Sequence, residues 1–208
     1  MAFPLTKSSN YVTICLPMKF KFTITSIDGI LIIEPNIYKD DRGFFMEYYN
    51  KDAFASDGNF RDLFVQDNHS RSKKGVLRGL HYQINPHSMG KLVKAVKGEV
   101  FDVGVDIRKG SPTFGKWHGE ILSSENHKML YFPPGFAHGF LALTDGVELL
   151  YKCTGMHDAP SERAIAWNDP DIEIPWPLDK IGGMPFLSDK DKNHPKLKEA
   201  ENNFVFKK

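Results

Sequence analysis

The 208-residue chain contains little cysteine, no long apolar run and no excess of charge of either sign. Its two cysteines, Cys15 and Cys153, lie in no CxxC or CxxH spacing, so the sequence supports neither a disulfide framework nor a cysteine-ligated zinc site. Lysine and arginine total 27 against 26 for aspartate and glutamate, and a net charge of +1 provides no broad basic surface for nucleic acid or an anionic membrane. No segment approaches the roughly 18 consecutive apolar residues that a transmembrane helix requires. We therefore expect a cytoplasmic protein without nucleic-acid or membrane partners, which binds any anionic ligand locally.

Helical patterns are also scarce, whereas aromatic and β-branched residues recur in short alternating runs separated by turn residues. In the clearest run, residues 100–107, apolar side chains alternate with Asp102, Gly104 and Asp106, which predicts a strand with one face on a core. Similar patterns predict strands at 21–27, 30–35, 43–49, 62–68, 76–83, 91–97, 114–122, 127–132, 136–143 and 147–153. So many short strands in one domain are typical of a mostly β sandwich, jelly roll or barrel.

The chain has no internal repeat and no low-complexity tract, so a single domain over residues 18–208 is expected. Two short peripheral helices are predicted within it, one over 51–58 with Asn50 or Asp52 as N-cap, and one over 195–204. Residues 1–17 lack the basic start and the apolar segment of a secretory signal. We expect this segment to be a poorly ordered extension.

Several ionisable side chains occupy inward positions of the predicted strands. Over residues 76–83, strict alternation puts His81 on the same face as Leu77. For a lone histidine, a core residue bonded to the backbone is the more common explanation. The same inward placement recurs at His138 and Tyr151, each with apolar neighbours two positions away. Three titratable groups that face one β interior favour a ligand pocket.

Cationic residues provide further candidates. Lys91 and Lys94 lie three residues apart in a predicted strand, so they face opposite sides and one of them points inward. Burying a lysine is costly unless a counter-charge or a bound anion offsets it, although a solvated strand edge is the usual explanation for an arbitrary lysine. Arg42 and Arg78 have the fork geometry that clamps phosphates, and the same geometry serves surface ion pairs.

Six segments carry a family resemblance. They are DDRGFFMEYYN at 40–50, FVQDNHSRSKKGVLRGLHYQ at 64–83, GKLVKAVKGEVFDVGVDIRKGSPTFGKW at 90–117, PPGFAHGFLAL at 133–143, LYKCT at 150–154 and WNDPDIEIPWP at 167–177. In order and spacing, from about Met18 to Pro195, they resemble the dTDP-4-dehydrorhamnose 3,5-epimerases. The resemblance implies a cupin-type jelly roll with a few short peripheral helices, and a homodimer formed partly by strand exchange. It also implies epimerisation at C3 and C5 of a nucleotide-linked 4-keto-6-deoxy sugar, without a cofactor or a metal.

The resemblance implies roles for individual residues in the matching motifs. His81 corresponds to the general base and Asp191 to the aspartate of its dyad. Tyr151 corresponds to the acid on the opposite face of the sugar, and Lys91 to the lysine that stabilises the enolate. Asp189 competes with Asp191 for the dyad position, and the spacing in SDKD favours Asp191.

A binding site for the nucleotide diphosphate sugar is implied as well. The corresponding residues are Arg42, Glu47, Gln66, Asn68, Arg78, Lys190 and a second pocket histidine, His138. Arg42 is expected to reach into the site of the partner subunit. One departure from the family pattern follows LYKCT, where Met156 and His157 replace a pair of tyrosines, one of which lies near the nucleotide base. Nucleotide binding is still expected, whereas the preferred base and the sugar stay open.

Other function classes fit the sequence less well. A metal-dependent cupin needs an HxH pair and a glutamate, but Gln83 stands where the second histidine belongs, and Lys91 near the glutamate position repels a divalent cation. A non-catalytic sugar-binding jelly roll leaves the acid and base groups unexplained. A C3-only epimerase or a 3,4-ketoisomerase acting on a nucleotide sugar stays open, because the number of inverted carbons depends on the placement of Tyr151.

Overall fold

A computed structural model describes residues 19–60 and 62–207. In these ranges the chain forms one α-helix, α1 (Lys51–Asp57), and short 3₁₀ turns at Ala159–Ser161, Leu178–Ile181 and Asp191–Asn193. Its strands are β1 (Phe20–Ile24), β2 (Leu31–Pro35), β3 (Tyr38–Asp40), β4 (Gly43–Phe45), β5 (Gln66–Ser72), β6 (Leu77–Gln83), β7 (Lys91–Lys97), β8 (Glu99–Asp106), β9 (Trp117–Ser123), β10 (Met129–Phe132), β11 (Phe136–Ala142), β12 (Val147–Cys153) and β13 (Glu162–Ala164). The expectation for residues 1–17 concerns a segment outside the described ranges.

Two antiparallel sheets make up the body of the fold. One contains six strands in the order β1-β2-β10-β7-β12-β5, and the other five in the order β13-β6-β11-β8-β9, while β3 and β4 form a separate hairpin. Buried side chains of both sheets, such as Val93 and Leu149 of the first and Val100 and Phe140 of the second, form one cluster. The sheets therefore pack face to face, which confirms the predicted mostly β jelly roll.

Two further clusters cover the outer faces of the sheets. The C-terminal segment packs Trp167, Trp176 and Phe204 on the outer face of the five-stranded sheet. Helix α1 packs Phe54 against Phe20 of β1, in a cluster that also contains Tyr131 of the six-stranded sheet. Within the described ranges, no helix combines the length and apolarity needed to cross a membrane.

The helix predicted over 51–58 is confirmed, and the one predicted over 195–204 is wrong. The Asn50 side chain accepts a hydrogen bond from the Ala53 N–H at 3.0 Å and so caps α1. Residues 195–204 form no more than one turn. Their backbone groups bond elsewhere in the fold, as when the Leu197 N–H donates to the Asp169 carboxylate at 2.7 Å. These tertiary bonds outweigh the local helical propensity.

The predicted strands recur with shifted ends. The strand predicted at 43–49 is shorter, since β4 ends at Phe45, and the strand predicted at 62–68 begins later, since β5 starts at Gln66. The three-residue strands β3 and β13 were not predicted. Strands of this length are too short for an alternating pattern to reveal.

An extra residue in β6 overturns part of the predicted alternation. Leu77 packs in the outer cluster of the five-stranded sheet, whereas His81 lines the space between the sheets, so the two do not share a face. The register of β6 on β11 shifts between the pair His81–His138 and the pair Arg78–Phe140. Between these two pairs the chain advances three residues along β6 but only two along β11. Strand β6 therefore carries one extra residue, which is the geometry of a β-bulge.

Two glycines make this bulge sterically possible. Gly79 adopts a φ of 129°, a left-handed conformation that disfavours other residues. A Cβ on Gly79 would lie 2.5 Å from the Gly139 Cα of the neighbouring strand, far inside van der Waals contact. The two strands therefore approach one another where neither carries a side chain.

Strand β8 is buried on both faces, in contrast to the one buried face that its alternation predicts. Val103 and Val105 are fully buried, and so are Asp102 and Asp106 on the opposite face. Buried carboxylates need hydrogen-bond donors. Asp106 receives them from Arg108, Ser111 and Thr113.

Candidate active site

A cavity of about 430 Å³ opens between the two sheets. The five-stranded sheet contributes His81 from β6 and His138 from β11, and the six-stranded sheet contributes Lys91 from β7 and Tyr151 from β12. Other lining residues include Gln66, Asn68, Gln83, Cys153, His157 and Glu162. The three titratable groups predicted to face one interior do meet in this cavity, and Lys91 is the lysine that points inward.

His81 and Asp191 form a hydrogen-bonded pair at the cavity edge. Nε2 of His81 lies 2.7 Å from Oδ1 of Asp191, whose Oδ2 accepts a 2.7 Å hydrogen bond from the Ser188 hydroxyl. Nε2 of His194 approaches the same Oδ1 at 3.3 Å. Burial disfavours the ionised carboxyl, but these hydrogen bonds outweigh it and hold the pKa of Asp191 well below its usual range. With Asp191 ionised, Nε2 of His81 carries the hydrogen and Nδ1 keeps the free lone pair.

Asp189, the competing residue for this position, lies elsewhere. Its side chain is 98% exposed and accepts a 2.7 Å hydrogen bond from Lys192. The 3₁₀ turn at Asp191–Asn193 instead places Asp191 inward, where it is buried. The carboxylate that reaches His81 is therefore that of Asp191.

A second histidine–aspartate pair lies directly beside the first. His138 is the cross-strand partner of His81, and its Nε2 lies 2.8 Å from Oδ1 of Asp102 on β8. Burial lowers the pKa of His138, although Asp102 opposes the shift. Oδ2 of Asp102 is buried and has no hydrogen-bond partner among the described residues.

Lys91 projects into the cavity among acidic groups. Burial lowers the pKa of its ammonium, while the negative charges of Asp102 and Glu162 and a nearby Cys153 thiol favour the charged form. A cation held between two sheets acts more strongly than one in bulk water on any charge that develops beside it.

Tyr151 faces the cavity from the opposite sheet to His81. Burial raises the pKa of its phenol, the neighbouring Cys153 adds to the rise, and Arg78 opposes it. The phenol therefore stays protonated at neutral pH and is able to donate a proton.

Polar residues surround the entrance. The Gln66 side chain donates to Asn68 at 3.0 Å and accepts from the His157 N–H at 2.9 Å. Arg78 and Lys190 line an adjoining cavity of about 450 Å³, which shares His81 with the first. Two cations thus lie next to the dyad, in a position suited to an anionic ligand.

Arg42 and Glu47 do not reach this cavity in their own chain. Arg42 lies between β3 and β4, its side chain is 90% exposed, and it pairs with Asp40 at 2.6 Å. Glu47 pairs with Lys19 at 3.0 Å. A role for either residue in substrate binding therefore requires that it act on another copy of the chain.

Three residues of the site were not predicted from the sequence. Asp102 left a signal, since it is a carboxylate within an otherwise apolar strand. Glu162, whose carboxylate pairs with Lys190 at 2.8 Å, and His194 lie in a three-residue strand and a loop without periodicity. No pattern in the sequence indicates that these two lie near the dyad.

Comparison with known proteins identifies the family. Residues 24–199 match the family model described as dTDP-4-dehydrorhamnose 3,5-epimerase. The chain belongs to this family. The curated dTDP-4-dehydrorhamnose 3,5-epimerase of Shigella flexneri is 52% identical to it over 177 residues, which are 85% of this chain and 96% of the relative. The resemblance carried by the six sequence segments is thereby confirmed.

Solved structures of epimerases share the fold. The dTDP-6-deoxy-D-glucose-3,5-epimerase of Legionella pneumophila Philadelphia 1, in complex with dTDP-4-keto-L-rhamnose, aligns with a TM-score of 0.82 at 49% identity and covers 86% of this chain and 93% of its own. ChmJ, a 3'-monoepimerase of Streptomyces bikiniensis in complex with dTDP-quinovose, aligns with a TM-score of 0.78 at 36% identity and covers 84% and 87%. These likenesses confirm the cupin-type jelly roll expected of an epimerase.

The departure from the usual family tyrosines lies at the cavity mouth. The Met156 side chain is 65% exposed, and His157 lines the cavity. The backbone here is held by Gln83, whose side chain donates to the Met156 carbonyl at 3.2 Å. The two residues that replace the tyrosines therefore flank the same opening as Gln66.

Proposed function

We propose that this epimerase inverts C3 and C5 of dTDP-4-dehydro-6-deoxyglucose to form dTDP-4-dehydrorhamnose, without a cofactor or a metal. The observation that carries the proposal is that the two sheets contribute different groups to the cavity. A base candidate, His81 with its ionised Asp191, comes from the five-stranded sheet, and an acid candidate, Tyr151, comes from the six-stranded sheet. Inversion of a carbon requires a base and an acid on its opposite faces.

His81 acts as the base through Nδ1, because its Nε2 is bonded to Asp191 at 2.7 Å. Nδ1 takes a proton from the carbon next to the C4 ketone, and the electrons of the broken C–H bond move to the ketone oxygen. The imidazolium that forms is stabilised by the Asp191 carboxylate.

Lys91 makes the proton abstraction feasible. A proton next to a ketone is far less acidic than an imidazolium, so the enolate must be stabilised as it forms. A fixed ammonium that meets charge developing in the transition state contributes about 3–4 kcal/mol, by analogy with the donors of an oxyanion hole. The neighbouring Asp102 and Glu162 help to keep Lys91 charged.

Tyr151 completes the inversion from the other face. Its phenol protonates the enolate carbon, the carbonyl reforms, and the configuration is reversed. Tyr151 then recovers a proton from solvent, and His81 releases one. The same three groups serve at C3 and C5 in succession.

The adjoining cavity supports the binding of the nucleotide diphosphate. Arg78 and Lys190 line it next to His81, and both carry donors for phosphate oxygens. Gln66 and Asn68 line the sugar cavity itself. We assign Arg42 and Glu47 to the same binding function in a partner subunit.

A homodimer follows from that assignment. The β3–β4 hairpin exposes three large aromatic side chains, Tyr38, Phe44 and Phe45, at 59%, 57% and 66% of their surface. Tyr38 and Phe45 pair across the hairpin with ring centroids 6.5 Å apart, and this exposed aromatic surface suits contact with a second copy of the chain. Arg42, at the tip of the same hairpin, is placed to enter the partner's site.

Isotope exchange tests the reaction. Purified protein is incubated with dTDP-4-dehydro-6-deoxyglucose in deuterated water, and the label in the product is mapped by NMR. We expect deuterium at both C3 and C5 of the inverted sugar. Label at C3 alone would identify a C3 epimerase, and transfer of the ketone to C3 a ketoisomerase. If no deuterium enters the sugar, the protein binds the sugar without catalysing its epimerisation.

Subunit complementation tests the placement of Arg42. Arg42→Ala and His81→Asn subunits are mixed under conditions that exchange subunits. If Arg42 acts in the partner's site, each mixed dimer has one intact site, and about a quarter of wild-type activity returns. Mixing His81→Asn with Tyr151→Phe is the matched control, since both residues belong to the same site and activity should stay lost. Equal recovery in both mixtures, or none in either, contradicts the assignment.

A further inference from the structure

The Asp191 carboxylate is shared by two histidines. Oδ1 lies 2.7 Å from Nε2 of His81 and 3.3 Å from Nε2 of His194. The three ligand atoms all lie within 4.8 Å of one another. The proposed reaction uses His81 and Asp191 directly, and His194 enters it only as a hydrogen-bond partner of Asp191. A two-histidine, one-carboxylate cluster is also a donor set that divalent transition metals bind.

We infer that His81, Asp191 and His194 form an inhibitory site for Zn²⁺, which holds the enzyme inactive when the ion is bound. The site differs from that of a metal-dependent cupin, because the ion is held behind the catalytic ring and takes no part in turnover.

The donors are of the types that zinc prefers. The cluster offers one carboxylate oxygen and two imidazole nitrogens, and these atoms all lie within 4.8 Å of one another. Imidazole nitrogens favour zinc over magnesium or calcium, which prefer oxygen ligands.

The surroundings leave a route for the ion. His81 and Asp191 border the adjoining cavity of about 450 Å³, and His194 borders a further one of about 350 Å³ on the other side. Two cations line the larger of these cavities, Lys190, which forms a 2.8 Å ion pair with Glu162, and Arg78, which donates to the Ser72 hydroxyl and the Arg71 carbonyl oxygen. The Glu162 and Asp191 carboxylates offset their positive charge beside the cluster, and water is available as a fourth ligand.

Inhibition follows from the tautomer of His81. In the free enzyme Nε2 holds the proton and Nδ1 has the lone pair that acts as base. Zn²⁺ takes the lone pair of Nε2, so the single ring proton of neutral His81 moves to Nδ1. The base then has no free lone pair toward the sugar. No bond to substrate is needed, and removal of the ion restores the active tautomer.

The test measures metal binding and activity separately. Wild-type protein, stripped with EDTA, is expected to be fully active. Added Zn²⁺ should inhibit it, and EDTA should restore the activity. Without substrate, Co²⁺ should bind once at this cluster and give the strong visible absorption of a four-coordinate ion, displaced by Zn²⁺. These binding measurements do not depend on the proposed function and stand even if the sugar substrate is another one.

Single histidine variants locate the site. His194→Asn should weaken Zn²⁺ binding and inhibition by about tenfold or more, as expected for the loss of a ligand. His69→Asn is the matched control, because His69 also pairs with a carboxylate, Glu148 at 3.1 Å, but lacks a second histidine. This variant should behave like the wild type.

Other outcomes overturn the inference. Equal inhibition of the wild type and His194→Asn would place the ion elsewhere, and binding without inhibition would remove the regulatory role. If His194→Asn does not fold, as judged by thermal unfolding, His81→Asn decides the matter. That variant must lose Co²⁺ binding too, and retained binding with unchanged absorption refutes the site.

Discussion

The two histidine–aspartate pairs in the cavity are alike in geometry and differ in surroundings. His81 and His138 face each other across neighbouring strands, and each brings Nε2 within 2.8 Å of a carboxylate oxygen. The His81 side chain is 27% exposed and that of His138 10%. Asp191 is supported by Ser188 and His194, whereas one oxygen of Asp102 has no partner among the described residues.

We propose that this difference separates a reactive pair from a supporting one. A base needs an ionised, well-bonded partner and a free nitrogen that substrate can reach, which the His81 pair has. The His138 pair lies deeper, and burial lowers the pKa of its ring, so it is a poor acceptor of a proton. Its carboxylate instead contributes negative charge near Lys91. We therefore assign chemistry to the first pair and electrostatic support to the second.

His81→Asn should have the largest effect. Without the base no enolate forms, so both epimerisation and deuterium incorporation should be lost by more than the factor of about 10²–10⁴ that a single acid or base provides. The free energy of unfolding should change by no more than about 1 kcal/mol, because Asp191 keeps two other donors. Product formation, proton NMR in deuterated water and urea unfolding measure the three quantities. Persistent label at C3 or C5 would transfer the role of base to His138.

Tyr151→Phe should separate exchange from inversion. The base, Lys91 and Asp191 remain, so the enolate still forms and is reprotonated by His81 on its original face. Solvent deuterium should enter the sugar with retention, faster than inverted product appears, while inversion falls by about 10²–10⁴. Equal loss of both rates contradicts the assignment of Tyr151 as the opposite-face acid.

The same substitution at the second pair, His138→Asn, should act mainly on stability. It leaves Asp102 buried without its hydrogen-bond partner, and an unsatisfied buried acceptor costs about 1–3 kcal/mol. Thermal and urea unfolding should show the loss, and deuterium exchange should persist in the folded fraction. A variant as stable as the wild type but devoid of exchange would reverse the roles of the two pairs.

The dependence of stability on pH should distinguish the pairs by a smaller effect. His138 has a lowered pKa when folded, so below about pH 6.5 the unfolded chain binds more protons and stability falls. Asp191 also has a lowered pKa, which makes stability fall again below about pH 4. Urea unfolding from pH 3 to 8 should show that His138→Asn reduces the upper slope and Asp191→Asn the lower one. If His138→Asn instead reduced the lower slope and Asp191→Asn the upper one, the two pKa shifts would be assigned to the wrong residues.

Much of the site was predictable because strand periodicity reports which way a side chain faces. His138, Tyr151 and Lys91 lie in regular strands, and the structure brings all three to one cavity. Periodicity predicted this for His138 and Tyr151, whereas it left the choice between Lys91 and Lys94 open. For His81 the inward direction was right, but its alignment with Leu77 was wrong, because the extra residue in β6 resets the alternation.

The other positions of the site depend on contacts between residues that are far apart in the sequence, and strand periodicity does not report these contacts. His194 lies in a loop, and it reaches Asp191 through a 3₁₀ turn bound to Ser188. Asp102 was read as the polar side of a strand, yet the C-terminal segment and the opposing sheet bury both sides of β8. Packing between distant segments determines where these side chains lie, and the local sequence does not predict that packing.

The bulge glycines set a limit on how far this chain can diverge. A side chain at position 79 would strike Gly139, and one at position 139 would lie 2.7 Å from the Arg78 carbonyl oxygen. Neither glycine has a chemical role, but the distance between the two histidine rings depends on both. In a library randomised at the two positions, selection for activity should return glycine at each. Absolute conservation at such a site would reflect the absence of space rather than the presence of a reactive group.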